Sequence, residues 1–140
     1  MKHLKQFESF KEFMSKCWHS AKIGDTVPES DVYQYVEKLH RNDEDFIDGD
    51  LPDRIQQFES YTLMEIKISD INIDEYYLDE DYMKSYMDDY ESSKDYPPIV
   101  LDGDTQWSYA NNYTIIDGTH RVNALHQLGH KTILAWVGTT

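Results

Sequence analysis

The spacing of apolar residues changes near residue 61, from a helical to an alternating period. Before that point Leu4, Phe7, Phe10, Met14, Cys17 and Trp18 recur at steps of three and four, which predicts one amphipathic helix. Gly24-Asp25 ends it. Thr26-Val27-Pro28-Glu29 then has the form of a capping box, with proline in the first turn of a second helix. Val32, Tyr35, Val36 and Leu39 make the apolar stripe of that helix. An acidic loop with turn chemistry at Asp48-Gly49 follows, and then a short helix through Ile55 and Phe58.

From Tyr61 the pattern "YTLMEIKISDINI" sets Leu63, Glu65 and Lys67 against Met64, Ile66 and Ile68, the period of two expected of a strand. Helical spacing returns at Tyr82, Met83, Tyr86, Met87 and Tyr90. "YPPIVLDGD" predicts a strand behind a rigid Pro97-Pro98 corner, leading into the polar hairpin "DGDTQWSYANN". The strand "YTII", a helix over Val122–Leu128 and a last strand "TILAWV" complete the chain. Strands and helices alternate over 61–140, so that part predicts an α+β domain of mixed α/β character, and 1–60 a helical N-terminal extension packed on it. No internal repeat is visible.

Composition narrows the functional classes. The 140 residues carry a formal net charge of −14, so the chain lacks the positive footprint of a nucleic-acid binder and direct nucleic-acid binding is not expected. The same charge suits a basic protein partner. Cys17 is the lone cysteine, which permits no internal disulfide and fits a reducing, cytoplasmic location. No apolar run approaches the ~18 residues of a membrane span, and the polar start "MKHLKQFESFKEF" is unlike a secretion signal.

The densest chemistry lies in "YTIIDGTHRVNALHQLG", at the junction of a strand with a helix. A junction needs a glycine and a cap; this one holds Asp117, Gly118, Thr119, His120 and Arg121 in a row. At a helix N-terminus the amides of Gly118, Thr119 and His120 point toward one spot at the positive end of the helix dipole, a ready place for phosphate. Gly118 allows the turn and a close approach. The Thr119 hydroxyl can cap the helix, and Arg121 offers a fork of donors to phosphate oxygens. His120 can donate to a phosphate or move a proton near neutral pH. Asp117 can hold a metal, orient a hydroxyl or act as a base. The plain alternative is an ordinary capped turn with solvent-exposed His and Arg.

The run "YPPIVLDGD…YTIIDGTHRVNALHQLGHKTILAWV" resembles the ParB/sulfiredoxin-like superfamily. The matching parts are Pro98-Ile99-Val100, the turn Asp117-Gly118-Thr119-His120-Arg121, Ala124, the Leu128-Gly129 stop and the strand Ile133–Val137, within residues 61–138. The resemblance implies a small ParB/sulfiredoxin-like sheet with flanking helices. It also implies ATP or CTP, with Mg2+, lying over Gly118, Thr119, His120 and Arg121, with Lys84 as a further cation and Asp117 beside the metal. Asp117 and His120 would be the catalytic pair. Sulfiredoxins carry a nucleophilic cysteine where this chain has Thr119, so sulfinic-acid reduction is not expected. ParB proteins continue into a helix-turn-helix domain and this sequence stops at Thr140, so a DNA clamp is not expected either.

Two readings follow. The first is a nucleotide-binding protein acting as a phosphotransferase or phosphate-ester hydrolase, with nuclease action a weaker variant. The alternative is a non-catalytic acidic module, like small phage inhibitors that mimic DNA charge, binding a basic partner. Ten acidic residues and two lysines between Asp70 and Asp95 bear on it; such a run is ordinarily a solvated face. Asp102-Gly103-Asp104 reads as a hairpin turn rather than a calcium loop. His126 and His130 sit on either side of the Gly129 stop, which argues against a shared metal. Trp107 and Tyr109 read as a packing lid in preference to a base-stacking surface. Oligomeric state is not readable from the sequence.

Overall fold

The computed structural model describes residues 18, 20–40, 49–73, 80, 81, 84, 85, 87, 88 and 96–139. The predicted first helix up to Cys17, the acidic loop around 41–48 and most of the tyrosine-rich stripe at 82–90 lie outside these residues. The elements run β1 (Thr26–Pro28), α1 (Glu29–Leu39), α2 (Leu51–Ile55), β2 (Ser60–Lys67), β3 (Ile71–Asn72), β4 (Ile99–Asp102), β5 (Tyr113–Asp117), α3 (Thr119–Gln127) and β6 (Thr132–Thr139). The six strands form one mixed sheet in the order β1-β2-β6-β4-β5-β3. β4 pairs parallel to β6 and antiparallel to β5, and β3 runs parallel to β5. The architecture is α+β. Among the described residues, no helix is long and apolar enough to cross a membrane.

Both faces of the sheet are covered, and alternation along each central strand divides the core in two. On one face Val32, Tyr35 and Val36 of α1 and Ile55 of α2 pack with Tyr61, Leu63, Val100, Ile116 and Trp136. On the other, Val122, Ala124 and Leu125 of α3 pack with Ile66, Ile99, Leu101, Ile115, Ile133, Ala135 and Val137. Ile99-Val100-Leu101 therefore reads as an unbroken apolar run because its side chains serve both layers, as expected for a central strand flanked by helices. The segment before residue 61 supplies an edge strand and the cover of one whole face.

Two hydrogen bonds anchor that cover close to the functional junction. The buried Tyr35 hydroxyl donates to the Pro98 carbonyl at 2.8 Å, just ahead of β4. Arg54 Nη2, from α2, donates to the Ile115 carbonyl of β5 at 2.8 Å. Tyr61 donates from its hydroxyl to the Ile55 carbonyl at 2.6 Å, and burial first, then the Glu29 and Asp102 carboxylates, push its phenol well above the ordinary range.

The structure differs from the sequence expectations at several points. Thr26 does not cap a helix: it lies in β1, paired with Thr62, and its hydroxyl shares a hydrogen bond of 2.9 Å with the Thr62 hydroxyl. Helix α1 starts after Pro28 with no side-chain cap bond. The alternation sets Met64 on a face with Ile66, yet Met64 is exposed. Backbone pairing of the segment 24–28 with β2 ends at Leu63, which bonds to Gly24 and Asp25; among the described residues β2 is an edge beyond it, and Glu65 and Lys67 are the charged groups expected there. Ile68 leaves the strand for a 3-10 turn, Ile68–Asp70. Phe58 is buried but lies past the end of α2. Trp107 and Tyr109 do not pack as a lid: each is 85% exposed.

Candidate functional site

The junction from β5 to α3 is built around a glycine that no other residue replaces without strain. Gly118 has φ 111°, a left-handed backbone, and stands as the N-cap of α3. A Cβ there would come within 2.5 Å of Ile99 Cγ2 and 3.0 Å of Arg121 Nη2. The turn thus lies tight against β4 and brings Asp117 and Arg121, four residues apart, together. Val122 N–H donates to the Gly118 carbonyl at 2.9 Å, starting the helix at once. Asn123, itself buried, donates from Nδ2 to the Thr119 carbonyl at 2.8 Å and steadies the first turn.

Beneath the turn sits a buried ionic cluster. Asp117 is 8% exposed and Arg121 5%. Arg121 Nη2 donates to Asp117 Oδ2 at 2.9 Å, and His40 Nε2 lies 2.7 Å from Asp117 Oδ1. His40 follows the end of α1, so it arrives from a different layer and a distant part of the chain. Burial alone would raise the Asp117 carboxyl. The Arg121 charge, with the hydrogen bond and charge of His40, outweighs it, and the net direction is down. Asp117 is therefore held as a carboxylate.

This arrangement changes the expected roles. Asp117 Oδ2 accepts from Arg121 and Oδ1 is in hydrogen-bond contact with His40, and a carboxylate held ionised in this way is poorly placed to take a proton. Among the described residues, no cluster of three or more His, Cys, Asp or Glu could hold a metal ion. Thr119 is the first residue of α3 rather than its cap, because Gly118 holds that position, and among the described residues no side-chain cap hydrogen bond is found. Asp117 and Thr119 are both able to cap, and neither does. Thr119 and His120 are partly exposed at the mouth of the turn. Lys84 is exposed in a helical stretch, and no hydrogen bond or ion pair joins it to the turn.

Sequence reasoning missed His40 and Arg54. Nothing in their local pattern marks them: His40 is an ordinary residue at a helix end, and its role depends on a partner 77 positions away.

No protein-family model matches the chain, and no curated protein matches it. Solved structures do. Sulfiredoxin from Arabidopsis thaliana is similar at 21% identity over 56% of this chain and 86% of that chain, with a TM-score of 0.45. C-terminally truncated chromosome-partitioning protein ParB from Caulobacter crescentus, complexed with CTP-γ-S, is similar at 18% identity over 56% of this chain and 44% of that chain, with a TM-score of 0.47. A free serine kinase in complex with AMP is similar at 22% identity over 55% of this chain and 30% of that chain, with a TM-score of 0.45. The chain thus spans less than half the length of the ParB and kinase chains.

Proposed function

We propose that the first turn of α3 binds the phosphates of a nucleotide, ATP or CTP. The observation that carries this reading is the uncapped helix start above a buried Asp117–Arg121–His40 cluster. In a purely structural junction, Asp117 or Thr119 would accept from the first amides of the helix. Here Asp117 is turned to Arg121 and His40 instead, which supports an outside acceptor for the amides of Gly118 and Thr119. An anion suits it because of the helix dipole and the cationic side chains close by.

In this reading the amides of Gly118 and Thr119, the Thr119 hydroxyl and the His120 imidazole face the phosphates. Arg121 lends positive charge from beneath, held in place by Asp117, and His40 adds to it when protonated. Asp117 is then a positioning residue. For phosphoryl transfer or phosphate-ester hydrolysis, His120 is the group at the mouth able to move a proton. Lys84 is a candidate to meet the outer phosphates.

A thermal-shift panel tests the reading, with ATP, CTP, AMP and inorganic triphosphate, each with and without magnesium. At a concentration of ~100 times Kd, a ligand bound only to the folded state adds about 2.7 kcal/mol of stability. A rise in Tm with a nucleotide, reduced in Thr119→Val and His120→Ala, supports it. No shift with any of the four contradicts it.

A second reading, a non-catalytic module for a basic protein partner, is favoured by Trp107 and Tyr109. They stand 85% exposed between β4 and β5, at the opposite end of β5 from the turn and close in sequence to Asp102 and Asp104. Capture of a basic partner that is lost as salt is raised, and lost in Trp107→Ser, would favour it over the first.

A further inference from the structure

The far end of α3 holds a second feature, independent of the phosphate turn. Helix α3 stops at Gly129, which has φ 93°; Gly129 N–H donates to the His126 carbonyl at 3.0 Å and His130 N–H to the Leu125 carbonyl at 3.0 Å. The stop breaks the helix, as its sequence predicts, yet it folds the chain so that His126 and His130 line one depression. The Tyr96 ring stands edge-on to His130, with centroids 5.5 Å apart.

The depression has an accessible volume of about 520 Å3, within the range of small-molecule sites. Ile68, Ile71 and Ile73 give it an apolar lining. Lys67 and Lys131 stand beside them, fixed in relation to each other by the backbone. Ile68 N–H donates to the Lys131 carbonyl at 2.9 Å, and Lys67 is in register with Thr132. Among the described residues, the lining holds no Asp or Glu. In a chain of net charge −14, this apolar hollow has two lysines at its edge and, among the described lining residues, no carboxylate.

We propose that this hollow binds a small amphipathic carboxylate. Its aliphatic or aryl body lies on the isoleucines, and its carboxylate lies at the rim between Lys67 and Lys131. A neutral molecule of the same shape gains only the apolar contact, and a compact hydrophilic anion gains only the rim. Nucleotide phosphates are directed to the other end of α3, about 13 Å away along a helix of nine residues at ~1.5 Å per residue.

The test is an amide-resolved NMR titration of the full chain with octanoate and, separately, with octanol. Octanoate is expected to give saturable shifts at Ile68, Ile71, His130 and Lys131, with octanol weaker by up to about fivefold. One rim ion pair carries an affinity difference of up to about fivefold, so Lys67→Gln with Lys131→Gln is expected to bring octanoate down to the octanol level. Octanol binding is expected to be unchanged in that variant. Both lysines are exposed, and an unchanged spectrum away from the hollow verifies that the variant folds. Equal affinity for octanoate and octanol overturns the proposal, as do shifts confined to Gly118 and Thr119 or no saturable shift at all.

Discussion

His40 and Asp117 lie 77 residues apart and meet with Nε2 2.7 Å from Oδ1. The contact joins the end of α1 to the end of β5 and completes the carboxylate's shell, with Arg121 on its other oxygen. The junction is held from two layers of the fold at once, and the consequences can be measured.

Removing the cation from a buried pair leaves an uncompensated charge, which costs about 3–5 kcal/mol. Arg121→Ala is expected to lose stability of that order in urea unfolding. The double variant Asp117→Asn, Arg121→Met keeps similar volume without a stranded charge and is expected to recover more than half of the loss. His40→Ala, at a partly exposed position, should cost about 1.5–3 kcal/mol, the range for a hydrogen bond to a charged group.

Asp117 also sets a direction for pH. Its carboxyl is lower in the folded protein than in the unfolded chain. The unfolded state then binds the proton more readily, so the contribution is fully present above the ordinary carboxylate range. It is lost as pH falls through that range toward the folded value. Stability measured from pH 6 downward should fall with acid more steeply in wild type than in Asp117→Asn.

Gly118→Ala places a Cβ 2.5 Å from Ile99 Cγ2 on a left-handed backbone. A strained backbone of this kind costs about 1–3 kcal/mol before the clash is counted. The variant should lower the unfolding free energy measured in urea by at least that amount. Ile99→Ala in the same background removes only the Cγ2 contact, leaves Ile99 Cβ at 2.9 Å and opens a cavity in the core, so it should not restore stability.

Trp107 and Tyr109 carry large apolar area without covering any core. The loop that presents them is pinned instead by polar bonds. Ser108 Oγ shares its one proton between the Thr105 and Asn112 carbonyls, and Asn72 Nδ2 donates to the Tyr109 carbonyl at 3.1 Å. Ala110 and Asn111 hold left-handed backbone. Trp107→Ser with Tyr109→Ser should change stability by less than about 0.5 kcal/mol, the ordinary range for exposed sites, checked by thermal unfolding.

The elements with strong period are readable without the structure. Val32, Tyr35 and Val36 fall on the buried side of α1, and the run Ile99-Val100-Leu101 is a central strand. The turn residues Asp117 to Arg121 are brought together at the end of β5, where the sequence places them. Three things are not readable, each because a distant contact decides it. Capping logic does not apply at Thr26, because pairing with Thr62 draws that residue into the sheet. Met64 lies just past the last backbone pairing of β2 with the segment 24–28, at Leu63, and is exposed, a matter of position along the strand and not of period. Asp117 suits cap, base and metal roles equally well as a residue type; its orientation toward Arg121 and His40 is a property of packing.

The most direct measurement of the central claim is an amide-resolved NMR titration with ATP and with CTP, following Gly118 and Thr119. Nucleotide phosphate bound at the uncapped start of α3 should move these two amides first and saturably, with Ile71 and His130 at the far end of the helix unmoved. Binding should weaken at least tenfold in His120→Ala with Thr119→Val. If Gly118 and Thr119 stay in place while either nucleotide is raised to millimolar concentration, this helix start is not a phosphate site.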